Sequence, residues 1–174
     1  MNEISVLMYL LSKRSSQHKI GATREEIMEI LNPGKKAEDF LFNDLISNLS
    51  NYIEPLGLQI NYNPINSHWY LSLKNEISEL FKANPFIEHP SLAATLFSTL
   101  TCCLRNRGTT TIQEVRKLRK KKNLMKDLKE LEKQGYLSID SKTYKINLTP
   151  LIGYQIDMEK LYKNILMIMK DNIE

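Results

Sequence analysis

Hydrophobic residues recur at helical spacing in three stretches of the first half of the chain. A helix near the N-terminus is indicated by Ile4, Leu7, Met8 and Leu11. A second helix is predicted to begin near Arg24, because Thr23 and Glu26 have the spacing of a capping box. A third is predicted from about residue 37 to residue 53. Its apolar side comprises Phe42, Leu45, Ile46, Leu49 and Ile53.

The pattern then changes from helical spacing to strict alternation. The alternating apolar residues are Leu58, Ile60 and Tyr62, then Trp69, Leu71 and Leu73. The turn-rich sequence "NPINS" separates the two runs, so they predict a β-hairpin. Three helices followed by a hairpin predict a winged helix-turn-helix domain.

The same order recurs in the second half of the chain. A helix is predicted over "SLAATLFSTLTCCLRNRG", a second capping box at Thr111 and Glu114, and a third helix that ends at Gly135. Two strands follow, "YLSI" and "TYKINL", the latter with Tyr144, Ile146 and Leu148 expected on one face. Three positions correspond between the halves: Thr23 with Thr111, Ile27 with Val115, and Ile30 with Leu118. The repetition predicts an approximate internal duplication.

The predicted fold class is therefore mainly α with short β-hairpins (α+β), with two tandem winged helix-turn-helix domains and a C-terminal helix. The predicted boundaries are 1–84, 85–150 and 151–174. In the last segment, "IDMEKLYKNILMIMKDNIE" has an apolar arc of about 160°, wider than one docking face requires. This helix is expected either to be well buried in its own domain or to present part of its apolar face to a partner. The interface candidates are Met158, Leu161, Ile165 and Ile168.

Composition and targeting signals narrow the class of protein. The 42% hydrophobic and 25% charged residues are typical of a folded globular chain. The apolar run from Val6 to Leu11 is too short to span a membrane, and it is followed by Lys13 and Arg14. We therefore expect a cytoplasmic protein without membrane association.

Residues for catalysis or metal binding are sparse. His18, His68 and His89 are far apart in the sequence, and the adjacent Cys102 and Cys103 have the context of core thiols. The chain has no Gly-rich phosphate loop and no nucleophile-elbow motif. The expectation is a protein that is not an enzyme, with no catalytic residue, no metal and no cofactor.

Charge is distributed unevenly along the chain. Residues 1–87 carry 8 Lys and Arg against 10 Asp and Glu, whereas residues 88–174 carry 16 against 10. The formal net charge of +4 therefore comes from the second half. This asymmetry favours a polyanionic or acidic partner for that half.

The positive charge is concentrated in "RKLRKKKNLMKDLKELEKQG", residues 116–135. On a helical wheel, one line of lysines lies opposite Leu124, Leu128 and Leu131. The interpretation as a solvated lysine face remains open beside phosphate contact without base readout, since Lys does not pair bidentately with base edges. The candidate DNA-binding residues are Arg116, Lys117, Arg119, Lys120, Lys121, Lys122, Lys126, Lys129 and Lys133.

The third helix of the first domain has the opposite character. It contains Glu38, Asp39 and Asp44 and no Lys or Arg after Lys36, so phosphates would repel it. Its apolar arc instead suggests a protein interface. The candidates for a dimer or partner contact are Phe40, Leu41 and Tyr52, although Phe40 could equally form a buried N-terminal staple.

Several motifs, in order, resemble those of the ScpB family, segregation and condensation protein B. They are "GLQI" and "HWYLSL" in the first half, and "FSTLTCCL", "TIQEV", "GYLSI" and "YKINLTP" in the second. The resemblance extends over most of the chain. It departs from the family where "NRGT" precedes the second cap, where a basic run follows the second helix, and in the apolar C-terminal helix.

The resemblance implies a non-enzymatic homodimer, formed largely through the first domain. Its implied partners are a ScpA-like kleisin subunit and, through it, the SMC ATPase, with non-specific double-stranded DNA as a further partner. The alternative from a different class is a tandem winged-helix transcription regulator that binds an operator.

Overall fold

The computed structural model of the protein describes residues 2–32, 39–74, 86, 88–158, 160, 161 and 163. The chain divides into two compact units, Met1–Ala83 and Asn84–Glu174. The predicted mainly α class with short β-hairpins is confirmed. The second unit includes both the predicted second domain and the predicted C-terminal segment. The domain boundaries placed at residues 84 and 150 stay predictions.

The first unit has a three-helix core with a hairpin, together with a 3-10 turn at Glu54–Leu56. The helices are α1 (Glu3–Ser12), α2 (Arg24–Leu31) and α3 (Asp39–Ile53). The strands are β1 (Arg14–Ser16), β2 (Lys19–Ile20), β3 (Ala22–Thr23), β4 (Leu58–Asn63) and β5 (His68–Leu73). Because β5 pairs with β3 and β4, the main sheet has the order β3-β5-β4, antiparallel throughout.

The predicted capping box fixes the start of α2. The Glu26 amide donates to Thr23 Oγ1 at 3.2 Å, and the Thr23 amide donates to Glu26 Oε2 at 3.0 Å. Two of the amides that a helix N-terminus leaves unpaired are thereby satisfied. The apolar face that begins here is buried at Ile27, in a core with residues from α1 and α3.

The second unit repeats this order with a shorter wing. Its helices are α4 (Pro90–Arg105), α5 (Ile112–Arg119), α6 (Leu124–Lys133) and α7 (Pro150–Gln155). Its strands are β6 (Thr109–Thr111), β7 (Leu137–Ile139) and β8 (Lys145–Leu148). The sheet order is β6-β8-β7, which matches that of the first unit.

The second capping box also forms as predicted. The Glu114 amide donates to Thr111 Oγ1 at 3.3 Å, and the Thr111 amide donates to Glu114 Oε2 at 3.0 Å. Val115 is fully buried, as is its counterpart Ile27. In both units, therefore, the same local signal starts the second helix and directs the same position into the core.

Two short strands were missed in the sequence, and one expectation for the hairpins, that for Tyr144, was wrong. The short strands β3 and β6, which complete the sheets, carry no alternating pattern long enough to predict them. Tyr144 does not share a strand face with Ile146. It lies in the wing turn with φ of 54°, its amide donates to the Asp140 carbonyl, and its side chain is exposed.

The C-terminal helix is only partly within the described structure. Of its interface candidates, Met158 and Leu161 are half-buried. Ile165 and Ile168 lie outside the described residues, together with most of the predicted apolar arc. Before this segment, Pro150 occupies the first turn of α7, where its missing amide costs nothing.

Candidate nucleic-acid interface

The basic surface of the second unit is built on α6. Leu124, Leu128 and Leu131 are buried, as the helical wheel predicts, and they hold the helix against α4. The opposite side is therefore turned to solvent. The exposed lysines along it are Lys126, Lys129 and Lys133, whereas Lys122, predicted on the same helical line, is exposed in the turn before α6.

A second group of cations lies at the end of α5. Arg116 and Lys117 are exposed in its last turn, where positive side chains are favoured by the helix dipole. Lys120 follows as the C-cap, in the left-handed conformation with φ of 47°, and its amide donates to the Arg116 carbonyl at 2.9 Å. Part of this charge therefore has a structural role at the helix terminus.

Lys121 is half-buried and is paired within the protein. Its Nζ lies 2.6 Å from Asp127 Oδ2 and 2.6 Å from Ser91 Oγ, which links the start of α4 to α6. Asp127 Oδ2 also accepts a 2.7 Å hydrogen bond from Thr95 Oγ1. Burial raises the pKa of Asp127, but hydrogen bonds from Lys121 and Thr95 and the nearby charges outweigh it, so the pKa is lowered.

Arg119, like Lys121, interacts with the Asp127 carboxylate. It is half-buried, and its charge helps to lower the pKa of the Asp127 carboxyl. We therefore take Arg119 and Lys121 as parts of an internal ionic cluster. The remaining seven candidates form the exposed cationic surface: Arg116, Lys117, Lys120, Lys122, Lys126, Lys129 and Lys133.

The wing of the second unit adds residues that sequence reasoning missed. Tyr144, Lys142 and Lys145 are exposed around the turn between β7 and β8. The Asp140 carboxylate is directed into this turn, where it accepts from the Lys142 amide at 2.8 Å and from Thr143 Oγ1 at 2.7 Å. These hydrogen bonds lower the pKa of Asp140. The sequence signal that could have identified these residues is a cluster of lysines around a tyrosine in a turn.

Two of the three interface candidates of the first unit are exposed, and the third is half-buried. Phe40 and Tyr52 on α3 are 76% and 72% exposed, so Phe40 does not form a buried staple. Leu41 is half-buried against the core. Between the two aromatic residues, the exposed side chains of α3 are Asn43, Ser47, Asn48 and Asn51, all uncharged.

Catalytic and metal chemistry find little support in the described residues. Burial raises the pKa of Cys103 to about 12, and burial also raises the pKa of Cys102, so neither thiol is an activated nucleophile. Within the described ranges, no group of three or more His, Cys, Asp and Glu side chains is placed to hold a metal ion. In the same ranges, no helix is both long and apolar enough to cross a membrane.

These features define a protein of two winged-helix-like units. The third helix of the first unit contains no Lys or Arg, whereas that of the second presents a line of exposed lysines. No family model and no curated protein matches the chain. Among solved structures, the chain is similar to a conserved hypothetical protein from Chlorobium tepidum, with 12% identity and a TM-score of 0.41. That match covers 83% of this chain and 88% of the other.

Two further structures are similar to the chain. ScpB from Mycobacterium tuberculosis has 13% identity and a TM-score of 0.33, with coverage of 88% of this chain and 93% of that one. A chain of the Nse1-Nse3-Nse4 complex has 17% identity and a TM-score of 0.44, with coverage of 97% and 89%. ScpB, which the sequence motifs resemble, is thus among the structural neighbours. At these scores the likenesses concern the fold, and the function has to be argued from the residues of this chain.

Proposed function

We propose that the protein is a non-enzymatic accessory subunit of an SMC–kleisin complex, acting on the nucleoid in the cytoplasm. Its direct protein partner is a kleisin subunit, and it acts as a homodimer formed through the first unit. The exposed cationic surface of the second unit adds contact with the DNA backbone. No metal or cofactor takes part.

The observation that carries the proposal is a duplicated unit whose two third helices have diverged in charge. The motifs that resemble ScpB also fall on corresponding elements. "FSTLTCCL" lies within α4, "TIQEV" contains the capping box of α5, "GYLSI" leads into β7, and "YKINLTP" joins β8 to α7. Several motifs that recur in the same order support the resemblance more strongly than any one of them does.

The partner assignment is tested by purification from native cells. The tagged protein, recovered under mild salt and shown to be folded by circular dichroism, is expected to carry a kleisin subunit with it. Recovery of the folded protein without a kleisin would refute the assignment.

The dimer is tested by charge reversal at an exposed aromatic residue. Phe40→Glu introduces a carboxylate on the uncharged face of α3 and is expected to convert the dimer to a monomer in light scattering. Phe97→Glu is the matched control, since Phe97 is an exposed phenylalanine of the second unit. A wild-type monomer at all concentrations, or equal effects of both changes, would contradict the assignment of the interface to the first unit.

DNA contact is tested by the dependence of affinity on salt. Each phosphate contact contributes about 0.9 to the slope of log K against log salt, so Lys126→Glu with Lys129→Glu should reduce the slope by about 2. The matched control is Lys13→Glu with Arg14→Glu, two exposed cations of the first unit. A wild-type slope near zero, or the same loss in the control, would refute backbone contact by α6.

Selection from random duplex DNA separates this proposal from a transcription regulator. Backbone contact predicts no enriched motif, because α6 presents lysines where base readout favours Arg, Asn or Gln. A defined operator-like motif would favour the regulator.

A further inference from the structure

A groove on the second unit lies between α4 and α5, and no residue of the α6 lysine face lines it. Its volume is about 390 Å³, and its lining residues are Thr101, Cys102, Arg105, Glu114, Lys117 and Leu118. It is open to solvent, and three of its six lining side chains are charged, so it does not enclose a small apolar molecule. An open groove of this kind can hold a segment of another polypeptide.

Apolar side chains are exposed at this groove. Leu118 is 54% exposed although it follows the fully buried Val115 by one helical turn. Phe97 does not line the groove, but it is exposed on α4 one turn before the lining residue Thr101. Exposed apolar side chains of this size, beside a groove and rimmed by polar residues, are typical of a protein contact site.

The charge of the groove is positive, because Arg105 and Lys117 outnumber its one carboxylate, Glu114, which is held by hydrogen bonds within the unit. Glu114 Oε2 accepts from Thr110 Oγ1 at 2.9 Å, from the Thr111 amide at 3.0 Å and from Thr111 Oγ1 at 3.2 Å. Arg105 and Lys117 are exposed, and neither is within ion-pair distance of a carboxylate among the described residues. The groove therefore offers two available cations beside two apolar side chains.

The first unit provides an internal comparison at the corresponding helix. With Thr23 matched to Thr111, Ile30 corresponds to Leu118 and Glu29 corresponds to Lys117. Ile30 is 49% exposed, so the aliphatic surface position is present in both units. The neighbouring charge has opposite sign, negative in the first unit and positive in the second. The difference in charge distinguishes the partners that the two surfaces can accept.

We infer that the groove between α4 and α5 binds an acidic amphipathic segment of another protein. One or two apolar side chains of that segment contact Leu118 and Phe97, and its carboxylates pair with Arg105 and Lys117. This site goes beyond the proposed assembly role, and its test does not require a kleisin. Lys117 then belongs to the groove as well as to the exposed cationic surface.

A random library of 16-residue peptides displayed on phage is the probe, and the full-length folded protein is the target. Enriched peptides are expected to combine apolar residues at helical spacing with a net negative charge. Synthetic peptides from the selection are then measured by fluorescence anisotropy. Leu118→Glu and Arg105→Glu should each weaken their binding on the order of tenfold, because each removes one element of the complementarity.

Ile30→Glu is the matched control and should leave peptide affinity unchanged. Ile30 and Leu118 are both exposed. Circular dichroism verifies that each variant remains folded. DNA affinity of Leu118→Glu should be retained, which separates the groove from the α6 lysines.

Each alternative outcome overturns the inference. The inference is overturned if no peptide is enriched, or if the enriched peptides are neutral or basic. It is also overturned if binding survives both Leu118→Glu and Arg105→Glu. A kleisin that fails to co-purify would refute the assembly proposal but would leave the peptide result unaffected.

Discussion

Neutralising Asp127 should destabilise the second unit by a measurable and pH-dependent amount. Asp127→Asn preserves the size of the side chain but removes the charge that pairs with Lys121 Nζ at 2.6 Å. The Lys121 and Asp127 side chains are 27% and 13% exposed, so water replaces the lost partner only in part. A hydrogen bond to a charged group contributes about 1.5–3 kcal/mol, and with partial screening we expect the free energy of unfolding to fall by about 2 kcal/mol at pH 7.

The effect should disappear in acid. Because the pKa of Asp127 is lowered in the folded state, its contribution is fully present above the unfolded-state pKa and is lost as pH falls through the folded-state pKa. The difference between wild type and Asp127→Asn should therefore be constant near neutrality. It should shrink once the pH falls below 3.8, the usual pKa of an aspartate.

Urea unfolding followed by two signals isolates the affected unit. Far-UV circular dichroism reports both units, whereas fluorescence of Trp69, the single tryptophan, reports the first unit. Only the dichroism transition should change. Glu130→Gln is the matched control on the same helix, where the carboxylate has an exposed hydrogen bond from Gln134. A loss below about 0.5 kcal/mol at pH 7, or a loss independent of pH, would refute the internal role of the Lys121–Asp127 pair.

Three further predictions concern the helix caps, a turn and the thiols. Thr23→Ala and Thr111→Ala should each lower the free energy of unfolding of their own unit by about 1 kcal/mol. Only Thr23→Ala should lower the urea midpoint measured by Trp fluorescence, and equal shifts of that midpoint would contradict separate units. Gly21→Ala should lower the free energy of unfolding, measured in urea, by about 2 kcal/mol. The reason is that φ of Gly21 is +77° and the added Cβ would overlap a backbone carbonyl of β5. Gly108→Ala, with φ of +106° but open space around it, should cost about 1 kcal/mol, and a larger loss there than at Gly21 would refute the steric argument. With Ellman's reagent at pH 8, Cys103 should react only after unfolding, and rapid reaction in the folded protein would show that the thiol is accessible.

The features that could be predicted from the sequence are those fixed by nearby residues. Both capping boxes depend on residues three apart, and both form. The leucine spacing of α6 likewise determines which of its faces is buried. Such signals need no knowledge of what lies across the core.

The features that were missed depend on residues far apart in the chain. The two-residue strand β3 exists only because β5, more than forty residues later, pairs with it. Lys121 resembles its cationic neighbours in sequence, and only Ser91 on α4 and Asp127 on α6 distinguish it. Leu118 has the helical spacing of a core residue, yet α5 leaves it exposed beside the groove.

The strand order has a consequence for synthesis on the ribosome. In each three-stranded sheet the central strand is the last one in sequence, so neither of these sheets can be completed until β5 or β8 has been translated. The first sheet can close after Leu73 has left the exit tunnel, before most of the second unit has emerged. Domains that fold vectorially in this way avoid exposing two similar sets of strands at once. When β6 and β8 emerge, β5 is already paired with β3 and β4, which disfavours exchange of strands between the two sheets.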